Sequence, residues 1–151
     1  MKIIIDDLSG PEIAAFLEAH VQDMRAITPL ESKHALDLDG LRVKEITFWS
    51  VYDGDELVGC GAIKAHDADL GEIKSMRTSP ARRRGGVAAF LLDHMITEAR
   101  ATGLTRLSLE TGATEHFLPA RKLYERFGFT YTGPFADYTD DPHSAYMTRV
   151  L

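Results

Sequence analysis

The spacing of apolar and polar residues along the chain predicts seven strands and four helices. Seven runs rich in β-branched and aromatic residues are typical of strands: 2–5, 46–52, 57–64, 72–78, 104–111, 129–132 and 144–150. Four stretches place apolar residues every three or four positions, as helices do: 11 to the break at Thr28-Pro29, 31–38, 86–102 and 117–127. The resulting order, β-α-α-β-β-β-α-β-α-β-β, predicts a mixed α/β domain with a strand, a turn and a helix at its centre.

Glycines and short polar residues mark where these elements should begin and end. Asp53-Gly54-Asp55 separates two predicted strands and indicates an antiparallel hairpin. Gly59 and Gly61 lie inside the second of those strands, which is typical of a bulge or of a close backbone approach. The run from Ser9 to Glu12 predicts a capping box at the start of the first helix. Gly103 predicts the end of the third helix.

Length and composition indicate one ordinary globular domain over residues 1–151. The chain is 44% apolar and 26% charged, as globular proteins are. Its single cysteine, Cys60, excludes an internal disulfide. The apolar run at the N-terminus is too short for a signal peptide, and no run reaches the roughly 18 apolar residues of a membrane span. We therefore expect a cytoplasmic protein that does not contact the membrane.

The charge distribution combines an acidic total with one basic turn. The net charge is −6, from 17 basic and 23 acidic residues, so nucleic acid is not an expected partner. The arginines Arg82 to Arg84 nevertheless stand together just before the third predicted helix. A local basic site in an acidic protein suits a small polyanion.

The basic turn has the features of a phosphate site. A helix that begins after Gly86 exposes unpaired backbone N–H groups and a partial positive charge. Gly85 and Gly86 carry no Cβ, so a phosphate can approach the backbone closely. Arg83 and Arg84 can add charge-assisted hydrogen bonds. The sequence lacks the signatures of a P-loop and of a dinucleotide-binding fold. Two interpretations stay open at this point: a site for a pyrophosphate of another kind, and a basic surface turn before a core helix.

Two motifs resemble one enzyme family. Arg83-x-x-Gly86-x-Ala88 resembles the Q/R-x-x-G-x-G/A signature of the GCN5-related N-acetyltransferase (GNAT) family, whose backbone amides hold the pyrophosphate of coenzyme A. Residues 120–129 resemble that family's A-x-x-L-Y-E-x-x-G-F segment. The resemblance covers about residues 72–129. It implies an α/β (α+β) fold with a mixed, mostly antiparallel sheet, helices on both faces and a central strand–turn–helix site for coenzyme A.

The activity implied by the resemblance is acetyl transfer. Acetyl-CoA would be the donor, and the acceptor would be a primary amine of a small molecule or of a protein, attacking directly in a ternary complex. The alternative is a non-catalytic acyl-CoA-binding sensor or interaction domain. The sequence leaves open whether the protein forms a homodimer.

The resemblance also implies a set of coenzyme-binding residues along the central strand, the turn and the two following helices. They are Met76, Arg77, Thr78, Arg83, Arg84, Gly85, Gly86, Val87, Ala88, Phe117 and Ala120. In the family the backbone around Met76 contacts the pantetheine arm and the thioester oxygen. Many members carry asparagine where this chain has Phe117, so a side-chain amide contact is missing or replaced.

Two residues are the catalytic candidates. Tyr124, within the second motif, would be the general acid that protonates the departing thiolate. Glu72 lies eleven residues before Arg83, an offset that resembles the base of the family's histone-acetyltransferase branch. Glu110, on the neighbouring predicted strand, is the rival base, and a water relay is a third possibility.

The acceptor site is implied to lie between the early helices, the central strand and the last loop. Five residues are its candidates: His34, Asp37, Trp49, Glu110 and Tyr138. Acidic side chains suit a cationic amine, and aromatic ones suit an apolar portion. The other histidines show no spacing typical of a metal site, so no metal is expected.

Overall fold

A computed structural model of the chain describes residues 1–27 and 38–151. The strands and helices are β1 Lys2–Ile5, α1 Pro11–Ile27, α2 Leu38–Leu41, β2 Ile46–Asp53, β3 Glu56–Ala65, β4 Leu70–Thr78, α3 Val87–Ala101, β5 Arg106–Gly112, α4 Leu118–Arg126, β6 Thr130–Thr132 and β7 Ser144–Val150. Short 3₁₀ turns at Pro80–Arg82 and Glu115–Phe117 precede α3 and α4. The helix predicted at 31–38 lies outside the described residues except for Leu38, where α2 begins. The predicted order of the other elements is confirmed.

The described strands form one seven-stranded sheet in the order β1-β2-β3-β4-β5-β7-β6. β4 and β5 pair in parallel because α3 carries the chain back across the sheet between them. The other neighbouring strands pair in antiparallel fashion. This confirms the predicted mixed, mostly antiparallel sheet. Within the described ranges, no helix is both long and apolar enough to cross a lipid bilayer.

Helices cover both faces of the sheet, as predicted. Because neighbouring residues of a strand point to opposite faces, Phe48 packs with Ile13 and Leu17 of α1. Trp49 packs on the other face, with Leu91 and Met95 of α3. The sheet is therefore the central layer between two apolar cores.

A bulge interrupts β4. Arg77 lies opposite Cys60 and Lys74 lies opposite Ala62, so Ser75 and Met76 together face the single residue Gly61. Ser75 has a φ of 57°, in the left-handed region. A Cβ on Gly61 would lie 2.5 Å from the Met76 sulfur, which explains the glycine. The close approach predicted for the β3 glycines is confirmed. The predicted bulge in β3 is confirmed beside Gly59, where Val58 is an extra residue in the pairing with β2. Opposite Gly61 the extra residue belongs to β4.

The caps of the helices agree with the sequence at one position and differ at another. Gly103 has a φ of 92° directly after α3, as expected of a residue that ends a helix. The capping box predicted at Ser9 is wrong. α1 begins at Pro11, and the Ser9 hydroxyl donates to the Asp7 carboxylate at 2.6 Å.

Candidate active site

A cleft opens where β4 and β5 separate. Their pairing runs from Leu70 opposite Arg106 to Ile73 opposite Leu109. Beyond this point β4 follows its bulge, and residues of both strands line a cavity of about 860 Å³. The cavity reaches from the first turn of α3 to α1 and to the loop before β7. A break in the middle of the sheet therefore provides the site.

The turn before α3 closes one end of the cleft. Gly85 donates its N–H to the Arg82 carbonyl at 3.0 Å. Gly86 caps α3 with a φ of 83°, and a Cβ built there meets nothing within 4 Å. The first amides of α3 have no intrahelical acceptors, and they begin at this open position. The backbone therefore fits an anion such as a pyrophosphate.

The arginines of the turn have different surroundings. Arg82 donates to Asp53 at 2.7 Å and to Glu56 at 3.0 Å, both in the β2–β3 hairpin. It therefore fastens the turn to the hairpin. Arg83 and Arg84 are exposed at the mouth of the cavity that they line, where a bound anion would meet them.

Tyr124 lies at the floor of the cleft. It is 6% exposed, and its ring packs edge-on against Phe129 at 5.7 Å between centroids. Burial raises the pKa of the Tyr124 hydroxyl, and the charge of Glu110 raises it further. The hydroxyl therefore stays protonated at neutral pH and is able to donate a proton.

The entrance to α4 is held by contacts with the end of β5. The Phe117 ring fills the space where a Cβ on Gly112 would stand. Arg121 donates to the carbonyls of Gly112 at 2.7 Å and of Thr114 at 2.8 Å. Phe117 and Ala120 both line the cavity. The start of α4 thus presents an aromatic ring to the cavity.

Glu72 is the centre of a buried polar network. Its side chain is 3% exposed. One carboxylate oxygen lies 2.7 Å from His66 Nε2, and the other accepts from Lys74 at 2.9 Å and from the Tyr138 hydroxyl at 2.6 Å. Burial alone raises the pKa of Glu72. The hydrogen bond from Tyr138, the charge of Lys74 and the contact with His66 outweigh burial, and the pKa lies below its usual value.

This lowered pKa predicts a pH-dependent contribution of Glu72 to stability. Glutamate in the unfolded chain has a pKa near 4.5, and the folded state favours the carboxylate. The contribution is therefore complete above about pH 4.5 and is lost as the pH falls through the lower pKa of the folded state. Glu72→Gln is expected to lower the free energy of unfolding at pH 7 by about 1 to 3 kcal/mol.

Chemical denaturation at pH 7 and at pH 3 checks this expectation. The difference between wild type and Glu72→Gln should shrink at pH 3, and the exposed Glu45→Gln control should change stability by less than about 0.5 kcal/mol at either pH. A Glu72→Gln difference that is equal at both pH values would contradict a role for the ionised carboxylate.

The acceptor candidates fall into three groups. Glu110 and Tyr138 line the cavity, and Glu110 accepts from the Ser144 hydroxyl at 2.7 Å. His34 and Asp37 lie outside the described residues. Trp49 lies elsewhere: it is 4% exposed, in the core under α3, with its ring 6.0 Å from that of His94. Its position in β2 turns it to the α3 face, so it is removed from the acceptor candidates.

Sequence reasoning missed several residues of the cavity. Lys74 is two residues from Glu72 in a strand, so the alternation of the strand predicts that the two share a face. His20 and Asp23 are three residues apart in α1, and this spacing places them on one side of a helix. All three line the cavity. No sequence signal connects His66 with Glu72, because a turn brings them together.

Comparisons with known proteins identify relatives of the whole chain. A sequence model of the acetyltransferase (GNAT) family matches residues 10–129. YsnE of Bacillus subtilis, an uncharacterized N-acetyltransferase, is 55% identical over 151 residues, and the match covers 100% of both chains. YedL of Escherichia coli, also an uncharacterized N-acetyltransferase, is 45% identical over 97% of this chain and 92% of its own. A crystal structure from Klebsiella pneumoniae, described as an acyl-CoA N-acyltransferase, superposes with a TM-score of 0.78 at 26% identity, over 99% of this chain and 97% of that one.

Proposed function

The chain belongs to the acetyltransferase (GNAT) family, and we propose on this basis that it transfers the acetyl group of acetyl-CoA to a primary amine by direct attack in a ternary complex. One observation carries the proposal. The break between β4 and β5 gives a single cavity that joins the phosphate turn to the polar network around Glu72. Donor and acceptor can therefore enter from opposite ends and meet at the separated strands.

The residues around the cavity fit acetyl-CoA as the donor substrate. The turn from Arg83 to Ala88 would hold the pyrophosphate on backbone amides and arginine side chains. Thr78 and Met76 line the gap beyond it, where the pantetheine arm would run along the strand. The Met76 amide would donate to the thioester oxygen and stabilise the negative charge that develops there.

Direct attack is also supported by the state of the single cysteine. Cys60 is fully buried, and burial raises the pKa of its thiol to about 12. A covalent acyl-cysteine requires a thiolate, which this environment disfavours. The acetyl group would therefore pass to the amine in one transfer. The amine nitrogen bonds to the carbonyl carbon, the carbon–sulfur bond breaks, and Tyr124 donates its proton to the departing sulfur.

The surroundings of the two carboxylates favour Glu110 as the base. The pKa of Glu72 lies below its usual value, and a lowered pKa weakens a base. Glu110 lies close enough to Tyr124 for its charge to raise the pKa of that hydroxyl. We therefore assign proton removal from the acceptor ammonium to Glu110, directly or through a water. Glu72, the base expected from the sequence, would instead position Lys74 and Tyr138.

A pH profile of two variants separates these roles. Near pH 7 most primary amines are protonated and need a base, whereas near pH 9.5 many are already neutral. Glu110→Gln is expected to lower kcat/KM about tenfold at pH 7 and much less at pH 9.5, because general-base catalysis is worth at least this much. Thiol release from acetyl-CoA, followed from pH 6.5 to 9.5, measures the effect.

The companion variant is Glu72→Gln. Its loss of kcat/KM should be the same across this pH range, because Glu72 positions Lys74 and Tyr138 and does not remove the proton. If the deficit of Glu72→Gln disappears at high pH and that of Glu110→Gln does not, the two roles must be exchanged.

The proposed function itself is tested in two stages. Calorimetry with acetyl-CoA measures donor binding, and thiol release with a panel of amines measures transfer. The panel contains amino acids, amino-acid amides, polyamines, aminoglycosides and lysine peptides. Binding followed by acetylation of one class supports the proposal. Binding without acetylation of any amine would favour the non-catalytic acyl-CoA sensor.

A further inference from the structure

The β4 bulge determines the direction of Arg77. Residues directly opposite each other in an antiparallel pair share a face of the sheet. Arg77 pairs with Cys60 and Lys74 pairs with Ala62, and both partners belong to the core on the α1 side. In a regular strand of the same sequence Arg77 would face α3, because it lies three positions after Lys74. The bulge therefore turns both cations to the same side of the cleft.

The Arg77 side chain is fixed and largely buried. It is 8% exposed, and one terminal nitrogen donates to Asp23 at 2.8 Å. Its guanidinium group lies over the Phe16 ring, with Cζ 5.2 Å from the centroid. These contacts from α1 orient the guanidinium group. They do not involve its Nε, which is buried and has no hydrogen-bond partner among residues 1–27 and 38–151.

An unpaired buried N–H is unfavourable in a folded protein and calls for an explanation. Arg77 lines the cavity together with His20 and Asp23. A ligand oxygen that enters between α1 and β4 would accept the remaining hydrogen bond, from Nε of Arg77. The planar guanidinium group matches a carboxylate particularly well.

The groups around Arg77 favour an anion at this place. Burial, followed by the charge of Arg77, lowers the pKa of His20 to about 4, so the imidazole is neutral at working pH. Lys74 is paired with Glu72. Asp23 is 56% exposed, so water screens its charge better than that of the buried guanidinium group. The guanidinium group of Arg77 is thus a buried cation whose Nε–H has no hydrogen-bond partner among the described residues.

We propose that the acceptor is an amine that also carries a carboxylate, as an amino acid does, and that Arg77 Nε binds this carboxylate. The inference rests on the proposed function and names its substrate class. The amine of such an acceptor would point toward Glu110 and Tyr124, and the carboxylate would point toward α1. Arg77 then determines specificity at the acceptor end of the cavity.

Matched acceptor pairs test this inference. The probes are the common amino acids and their amides, which differ in the negative charge. Wild-type protein is expected to acetylate at least one amino acid with a kcat/KM at least tenfold above that of its amide. Arg77→Gln should lower kcat/KM for the acid about 10- to 100-fold, mostly through KM, as the loss of a charge-assisted hydrogen bond does. It should lower kcat/KM for the amide much less and so remove the preference.

Three further measurements keep the test decisive. Arg77→Lys retains the positive charge but not the planar guanidinium group. It should therefore recover only part of the preference for the amino acid over its amide. Arg100→Gln is the control variant, at an exposed position at the end of α3. It should not change kcat/KM for either the amino acid or its amide. Because Asp23 is half-exposed, neither Arg77 variant leaves a buried charge unpaired, and thermal unfolding should verify that both fold.

Several results would overturn the inference. Equal acetylation of acids and amides would overturn it, as would activity confined to amines without a carboxylate, and in both cases the proposed function would stand. A tenfold loss of acetyl-CoA affinity in Arg77→Gln would assign Arg77 to a coenzyme phosphate instead. Acetyl-CoA binding with no amine acetylated would count against the proposed function itself.

Discussion

Tyr124→Phe is expected to lower kcat about 100-fold while leaving the Kd for acetyl-CoA within about twofold of wild type, because general-acid catalysis is worth about 10²- to 10⁴-fold. The variant removes only the hydroxyl. The ring that packs against Phe129 remains, so the core of α4 is preserved. Burial and the charge of Glu110 raise the pKa of Tyr124 and keep its proton in place. Stopped-flow or steady-state thiol release measures kcat, and calorimetry measures Kd.

The matched control is Tyr131→Phe. Tyr131 is 55% exposed and donates its hydroxyl to Glu125 at 3.1 Å, away from the cavity. This variant should retain full turnover. If Tyr124→Phe also retained full turnover, Tyr124 would not be the general acid, and its ring would serve only to pack the floor of the cleft.

Gly86→Ala is expected to raise the Kd for acetyl-CoA at least tenfold. The added Cβ would stand in the open space in front of the first amides of α3, where the pyrophosphate must approach. The positive φ of 83° adds a second effect, because a left-handed alanine costs about 1 to 2 kcal/mol of stability. Calorimetry measures affinity, and denaturant unfolding measures stability.

The chain provides a matched control at the other end of α3. Gly103 has a φ of 92°, and a Cβ built there also meets nothing within 4 Å. Gly103→Ala should therefore destabilise the protein about as much as Gly86→Ala while leaving acetyl-CoA affinity unchanged. An equal loss of affinity in both variants would show that backbone strain, and not access to the amides, controls binding.

The fold could be predicted to a large extent because its signals are local. The strands and α3 bury the apolar side chains of one face in a core. Apolar residues therefore recur along the sequence with the period of a strand or of a helix. β7 was predicted with the bounds that the structure shows, Ser144–Val150. β5 begins at Arg106, two residues later than predicted, because Leu104 still packs against the core beside the end of α3.

The candidate site was only partly predictable. The phosphate turn is continuous in sequence, so its glycines and arginines could be recognised together. The bulge could not be recognised, because Ser75 adopts a positive φ without being a glycine. The surroundings of Glu72 come from His66, Lys74 and Tyr138, which the chain brings together over up to 66 residues. Such long-range contacts leave no periodic pattern, and the same holds for the position of Trp49 under α3.

The bulge at Ser75 has a consequence for how β4 can change during evolution. Deleting Ser75 or Met76 would restore regular pairing with β3 and would leave Arg77 opposite Cys60, on the same face as Lys74. Deleting a residue from the regularly paired part between Glu72 and Lys74 would instead turn Glu72 away from the face of Lys74 and out of its polar network. A change in the number of residues therefore has different effects in the bulge and in the regular part of β4. Deletions should therefore be tolerated better at the bulge than in the regularly paired residues from Glu72 to Lys74.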